Sequence, residues 1–260
     1  MGTFVNTDFI FDGINSSDMY NLKIVKLETG LFEQTFGMPR STIKDFIKNR
    51  KKPYFYKLRE DVLKLNIQIA KDTEWTNQEK YDVLKWLSQE TYKDFISTDQ
   101  NDIVYKCILV GEPKFYNNGN NEGYAELEFE CDAPHAYTQQ TVQTFDLSDN
   151  TTTTTIEVEN KSNIDDYYYP EVEVALQGTS TSFILTNLSD GGRQFEFTSL
   201  TSGETIYINN ESGTIISDLD LNRLPNLTDK KFFRLVYGVN QIQVTGEMIL
   251  KIRYQYPIIV

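Results

Sequence analysis

From Ile156 to the C-terminus the chain runs as short extended segments between glycine-bearing turns, with no stretch of helical periodicity. Strand candidates are 156–159, 170–176, 182–186, 193–198, 205–209, 214–217, 232–235, 241–245 and 248–256. Their connections use Asp190-Gly191-Gly192, Ser202-Gly203, Ser212-Gly213, Gly238 and Gly246, with Pro225 in a longer loop. Many short strands with turn signals at this spacing predict a β-sandwich or jelly roll. No repeat of constant period is present, which argues against a solenoid.

The first half is also rich in strand signals but differs in kind. Residues 9–11 lead into the turn dipeptide Asp12-Gly13, and 22–27 give the next candidate. A loop with Gly37, Pro39 and a basic run is expected to follow. Tyr54, Tyr56 and Leu58 alternate, and 62–69 form a second strand signal; the two are expected to pair about a turn at 59–61. One helix is predicted over about 77–89. Thr76 and Glu79 have the capping-box spacing, and Tyr81, Val83, Leu84, Trp86 and Leu87 supply an apolar face for packing on a sheet. Then come a strand at 105–110, a turn at Gly111-Glu112-Pro113, and an alternating strand over 124–131. Its Glu126, Glu128 and Glu130 share one face because the strand period is two, the pattern of a half-buried antiparallel strand rather than an acid cluster. Pro134, a polar stretch and the threonines 151–155 separate the halves as a linker or an edge strand. The expected domains are therefore 1–137 and 138–260, mainly β, with the helix in the first.

Composition bounds the function. A chain of 260 residues can bury a core without disulfides or metals. Its 13% aromatic content argues against disorder. The net charge of −13 argues against duplex nucleic acid as the main partner. A local basic run (Lys44, Lys48, Arg50, Lys51, Lys52, Lys57, Arg59) reads as solvated surface or as a contact for an acidic partner. Cys107 and Cys131 both sit in strand candidates and read as buried free thiols, with a bridge between them left open. The start lacks the pattern of a secretory signal, and no segment approaches 18 apolar residues, so no membrane contact is expected.

Catalytic and metal-binding patterns are sparse. His135 is the single histidine, and neither Cys131 nor Asp132 stands at a metal-ligand spacing from it. No nucleophile elbow, phosphate loop or dinucleotide fingerprint occurs, so neither catalysis nor a cofactor is expected. Asp165, Asp166, Tyr167, Tyr168 and Tyr169 form the one candidate saccharide contact, with tyrosine faces for stacking and carboxylates for hydroxyls. The competing reading is a turn feeding an edge strand. Asp218 and Asp220 lack the glycine and glutamate of a calcium loop. A glycosidase would need two facing carboxylates in a cleft, which no pattern here supplies.

The order of features resembles the distal tail protein of siphophages that infect Gram-positive bacteria. Carrying the likeness are Phe11-Asp12-Gly13-Ile14-Asn15-Ser16, Trp75, Trp86-Leu87, Gly111-Glu112-Pro113-Lys114-Phe115 and the run 125–137, Ala-Glu-Leu-Glu-Phe-Glu-Cys-Asp-Ala-Pro-His-Ala-Tyr. Further on, Glu159-Asn160 and Leu235-Val236-Tyr237-Gly238-Val239-Asn240-Gln241-Ile242 match more loosely, and His135 stands where an aromatic residue is expected. The resemblance implies an N-terminal domain that closes into a homohexameric ring and a galectin-like C-terminal β-sandwich, with the last strand free to return to the first domain. It implies a structural role at the virion tail tip, assembled in the host cytoplasm. Implied partners are the tail tube protein and the tail-tip hub or tail-associated lysin, with a receptor-binding protein or a host saccharide as further candidates. Phage DNA would cross the lumen without specific contact. The alternative reading is a carbohydrate-binding module attaching the virion to cell-wall saccharide.

Overall fold

The computed structural model describes residues 7–26 and 37–260. The chain divides into two compact units, one reaching to Thr138 and including Ile258–Val260, the other Gln139–Pro257.

The first unit opens with strands β1 (Phe9–Phe11), β2 (Ile14–Asn15) and β3 (Lys23–Val25), with helix α1 (Ser16–Tyr20) before β3. Next come β4 (Arg40–Asp45), β5 (Tyr54–Glu60), β6 (Lys64–Ala70) and helix α2 (Asn77–Leu87). β7 (Lys93–Ser97), β8 (Ile103–Asn117), β9 (Gly123–Cys131) and β10 (Ala136–Thr138) complete it. Seven of these strands form an antiparallel sheet in the order β2-β1-β7-β8-β9-β6-β3, with β10 beside β8. Alternation drives the packing: β6 buries Leu65, Ile67 and Ile69 and turns Lys64, Asn66 and Gln68 outward.

Helix α2 starts at a complete capping box. Thr76 Oγ1 accepts the Glu79 amide at 3.1 Å, and Glu79 Oε2 accepts the Thr76 amide at 2.7 Å. The Lys71 ammonium, 2.6 Å away, and the Thr76 amide hold the Glu79 carboxyl down at about 2. Val83, Trp86 and Leu87 face the core, where the Trp86 indole donates to the Phe11 carbonyl at 3.1 Å and stacks on Phe9 at 5.6 Å. Tyr81 and Leu84, expected in the buried stripe, face solvent instead. Positions 83, 86 and 87 already form an i, i+3, i+4 stripe, and three ring contacts of Trp86, with Phe9, Phe11 and Tyr20, fix which side of the helix turns inward.

Several expectations for this half are corrected. A second, five-residue helix, α1, is capped by Asn15, whose side chain accepts the Ser17 amide at 2.8 Å. The basic run lies in a hairpin: β4 pairs β5, while β6, the expected partner of β5, pairs β3 and β9. Gly111-Glu112-Pro113 is no chain reversal. It is a bulge inside the 15-residue β8, where the register with β9 shifts between Val110 and Lys114 and Gly111 takes φ 68°.

In the second unit the strands are β11 (Thr141–Leu147), β12 (Thr153–Asn160), β13 (Glu171–Leu176), β14 (Phe183–Asn187) and β15 (Arg193–Phe197). They continue with β16 (Thr205–Asn209), β17 (Thr214–Ser217), β18 (Gly238–Thr245) and β19 (Met248–Tyr254), after which the chain returns to the first unit, where the two-residue β20 (Pro257–Ile258) pairs β10. A five-stranded sheet, β11-β19-β13-β16-β17, and a four-stranded sheet, β12-β18-β14-β15, share one core, the arrangement of a β-sandwich. Val172, Val174, Ile206, Ile208, Leu250 and Ile252 enter it from one sheet; Phe183, Leu185, Phe195, Phe197, Ile242 and Val244 enter from the other. The polar stretch expected as a linker contains β11, paired along its length with β19. Residues 232–235, expected as a strand, join no sheet beyond a bridge between Leu235 and Tyr168.

One ion pair lies inside this unit. Arg223 Nε and Nη2 reach the two oxygens of buried Glu204 at 2.8 and 2.6 Å; Ser217 Oγ and the Thr201 amide donate to the same carboxylate. Burial alone would raise this carboxyl, but Arg223, Ser217 and Thr201 together hold it below the ordinary glutamate value. A carboxyl lowered by folding stabilises the native state above its unfolded value of about 4.3, and that contribution disappears as pH falls through the folded value. Arg223→Ala, which strands the buried charge, is expected to cost about 3–5 kcal/mol in urea denaturation at neutral pH, with a smaller difference from the parent in acid.

Candidate functional site

The five residues singled out for a saccharide, 165–169, lie in the turn and short bridge before β13, and they do not form an open aromatic platform. Tyr167 is 46% exposed, but the Arg234 guanidinium sits 3.5 Å from its ring centroid. That guanidinium is fixed by Asp190, with Nε and Nη2 donating at 2.7 and 3.1 Å. The Asp190 bond, with a further one from Tyr169, raises Arg234 above its usual value. Tyr168 is half-buried: its hydroxyl accepts the Gln255 amide at 2.8 Å, its ring meets the Tyr256 edge at 4.8 Å, and burial pushes the phenol up to about 12. Asp166 accepts the Tyr167 amide at 2.7 Å, a local turn bond, and Asp165 is exposed.

Beside Arg234 lies an open depression of about 380 Å³ lined by Asp190, Arg193, Asp229 and Lys231 among others. Its charges are spent internally. Arg234 serves Asp190, Lys231 reaches Asp229 at 3.2 Å, and Arg193 donates twice to the Phe232 carbonyl. A ligand entering here would have to break one of these pairs, which argues for a structural role.

The remaining candidates also resolve into local structure. Asp218 accepts the Thr205 amide at 3.1 Å, and Asp220 sits in a turn with φ 54°. His135 Nδ1 lies 3.2 Å from the Ala136 carbonyl, with its ring against Tyr137. Glu126 takes a bond from Gln68 across the strands, and Lys64 serves Glu128 and Glu130. Among the described residues, no group of three His, Cys, Asp or Glu side chains is placed to hold a metal ion.

Cys107 and Cys131 face each other directly across β8 and β9, both buried and both free. The Asp132 amide bonds the Lys106 carbonyl, so the two cysteines occupy a non-hydrogen-bonded pair, the closer kind of cross-strand position. Burial raises both thiols, Cys131 to about 12. Neither is activated as a nucleophile. Both are expected to resist a thiol-reactive disulfide reagent in the native protein at pH 8 and to react at once in denaturant.

Several motif residues act as fasteners. Ser16 is buried, accepting the Phe9 amide and donating to the Leu22 carbonyl. The Trp75 indole donates to the Gly123 carbonyl at 3.2 Å. Buried Asn240 donates to the Val236 and Gly238 carbonyls and accepts from the Val236 amide and Asn187. This network closes the turn in which Gly238 has φ 80°, which explains the glycine and asparagine two residues apart. Asn240→Ala is expected to destabilise the protein by about 2–3 kcal/mol in thermal or urea unfolding, because it orphans several buried partners.

Among the described residues, the β4–β5 hairpin carries the densest run of exposed aromatic, aliphatic and basic side chains. The basic run expected in a loop lies on this hairpin, and the strand expected from the alternation of Tyr54, Tyr56 and Leu58 is its second strand, β5.

Known proteins place these observations in a family. Residues 4–133 match the family described as phage tail protein N-terminal domain, and residues 135–254 match the phage tail C-terminal domain. The SPbeta prophage-derived uncharacterized protein YomH of Bacillus subtilis (strain 168) is 25% identical over 251 residues, covering 95% of this chain and 96% of that protein. In fold, the chain is similar to the Dit protein of phage SPP1, with a TM-score of 0.66 at 11% identity over 95% of this chain and 98% of that one. It is also similar to a chain of the phage P2 baseplate in its activated conformation with Ca, at a TM-score of 0.50 and 10% identity, covering 95% and 97% of the two chains. The chain belongs to the phage tail protein family, built from that family's N-terminal and C-terminal domains.

Proposed function

We propose that this protein is the distal tail component of its virion, a homohexameric ring that joins the tail tube to the tail-tip hub and its adsorption apparatus. The observation that carries the reading is the extent of the likeness: both units match, and the alignment with SPP1 Dit takes in 98% of that chain. That protein is described as a paradigm of the hub adsorption apparatus in phages infecting Gram-positive bacteria. In this reading the partners are other copies of the chain, the tube protein, the hub or tail-associated lysin, and a receptor-binding protein. DNA passes through the lumen without sequence-specific contact, and the ring assembles in the host cytoplasm. The paired-off charges of the Arg234 depression fit a part with no chemical step.

Direct attachment to host saccharide through 165–169 is the second reading. The exposed edge of Tyr167 beside Asp165 and Asp166 favours it; the Arg234 cover on that ring disfavours it. Negative-stain micrographs of the purified protein are expected to show six-fold rings with an open channel, and a monomer at every workable concentration would overturn the ring. On a glycan array the full chain is expected to bind nothing. Binding that Tyr167→Ala abolishes would replace the first reading of the second unit.

A further inference from the structure

Among the described residues, the β4–β5 hairpin is a two-stranded sheet that joins no other strand. Within residues 40–60 only Ser41 and Pro53 are even partly buried. Yet the composition is that of an interface, with Phe46 71%, Phe55 62% and Tyr56 61% exposed, alongside Ile43, Ile47 and Leu58. An isolated hairpin in water is at best marginally stable, and apolar residues gathered on an exposed patch mark a contact surface. Its charge is opposite to that of the chain. Residues 40–60 hold eight Lys or Arg and two acids, a net +6 in a chain of −13, so the remainder carries −19. Among the described residues, Lys48, Lys51, Lys52 and Lys57 have no carboxylate partner.

We propose that this hairpin is an arm that docks on a second copy of the chain, against the solvent face of α2. That face exposes Tyr81 at 70% and, three residues on, Leu84, with exposed Glu74 and Glu90 flanking the helix in sequence. Apolar and aromatic side chains meet on both sides of this contact; Glu74 and Glu90 beside the helix stand against the hairpin's cations, while exposed Lys85 on the same face leaves Tyr81 and Leu84 as the centre of the contact. A second copy is favoured over an unrelated acidic partner because two chains of −13 repel each other, and an arm of +6 reaching a surface of the other copy is what offsets that repulsion. A contact between two different patches is head-to-tail, so it propagates until it closes into a ring. Nucleic acid fits less well, since the aliphatic Ile43, Ile47 and Leu58 offer nothing to phosphate. The inference rests on the ring reading above and names the surfaces that would build it.

The test compares the full-length parent with Phe55→Ser/Tyr56→Ser, Lys51→Glu/Lys52→Glu and Tyr81→Ser/Leu84→Ser by native mass spectrometry and light scattering. Circular dichroism melts serve as the folding control, because all six side chains are exposed. Each pair of substitutions is expected to weaken assembly at least about tenfold. Adding Glu74→Lys/Glu90→Lys to the Lys51→Glu/Lys52→Glu chain is expected to restore part of the loss, and salt to weaken the parent. A parent that stays monomeric overturns the ring reading and this inference together. A parent that assembles regardless of the hairpin substitutions overturns this inference alone, and assembly that ignores the α2 substitutions overturns the acceptor face. Unchanged assembly with loss of binding to a fluorescent single-stranded DNA would assign the arm to nucleic acid instead.

Discussion

The antiparallel ladder satisfies every backbone group it pairs, and its period of two gives each strand one face to bury. The two units rest on that rule. In β13 the residues alternate strictly, with Val172, Val174 and Leu176 inside and Glu171, Glu173 and Ala175 turned away. Its neighbours β19 and β16 do the same, and ion pairs such as Lys251 with Glu173 lie on the outer face. Several polar groups enter the interior with their bonds made, as at Glu204 with Arg223 and at Asn240 with Asn187. The β4–β5 hairpin has the same ladder but, among the described residues, buries neither of its faces.

Much of the fold was legible in the residues. Wherever the outer face was polar and the inner face aliphatic, as in β6, β9, β13 and β18, alternation marked the strand. The capping box at Thr76 and Glu79 placed the start of α2. The second unit could be read as a sandwich because glycine turns separate strands of nearly equal length. At the candidate site, the run of tyrosines does not reveal that Arg234 covers the Tyr167 ring or that the Tyr168 hydroxyl accepts the Gln255 amide, because both partners come from far along the chain.

The misreadings have physical causes. Local pairing is the default expectation for neighbouring strands, which puts β5 beside β6; instead β5 pairs the preceding β4, and β6 pairs both β3 and β9. Pro113 and Gly111 signal a turn, but a bulge uses the same residues without reversing the chain. β11 mixes polar and apolar residues, with Phe145 and Leu147 packing on the core, and pairs β19 along its length. α1 has five residues, too few to show a period, and depends on Asn15 and on buried Ser16. On α2, composition gave five apolar positions and could not say that two of them, Tyr81 and Leu84, would be left outside.

The account holds that this protein works through surfaces completed by other copies of itself, with the hairpin as the part most in need of completion. Hydrogen exchange on residues 40–60, in assembled particles and in protein diluted to monomer, addresses that directly. The account expects the β4–β5 amides to exchange within seconds in the monomer and to be strongly protected in the assembly, while β13 and β19 stay protected in both. Equal, fast exchange of the hairpin in both states would contradict it.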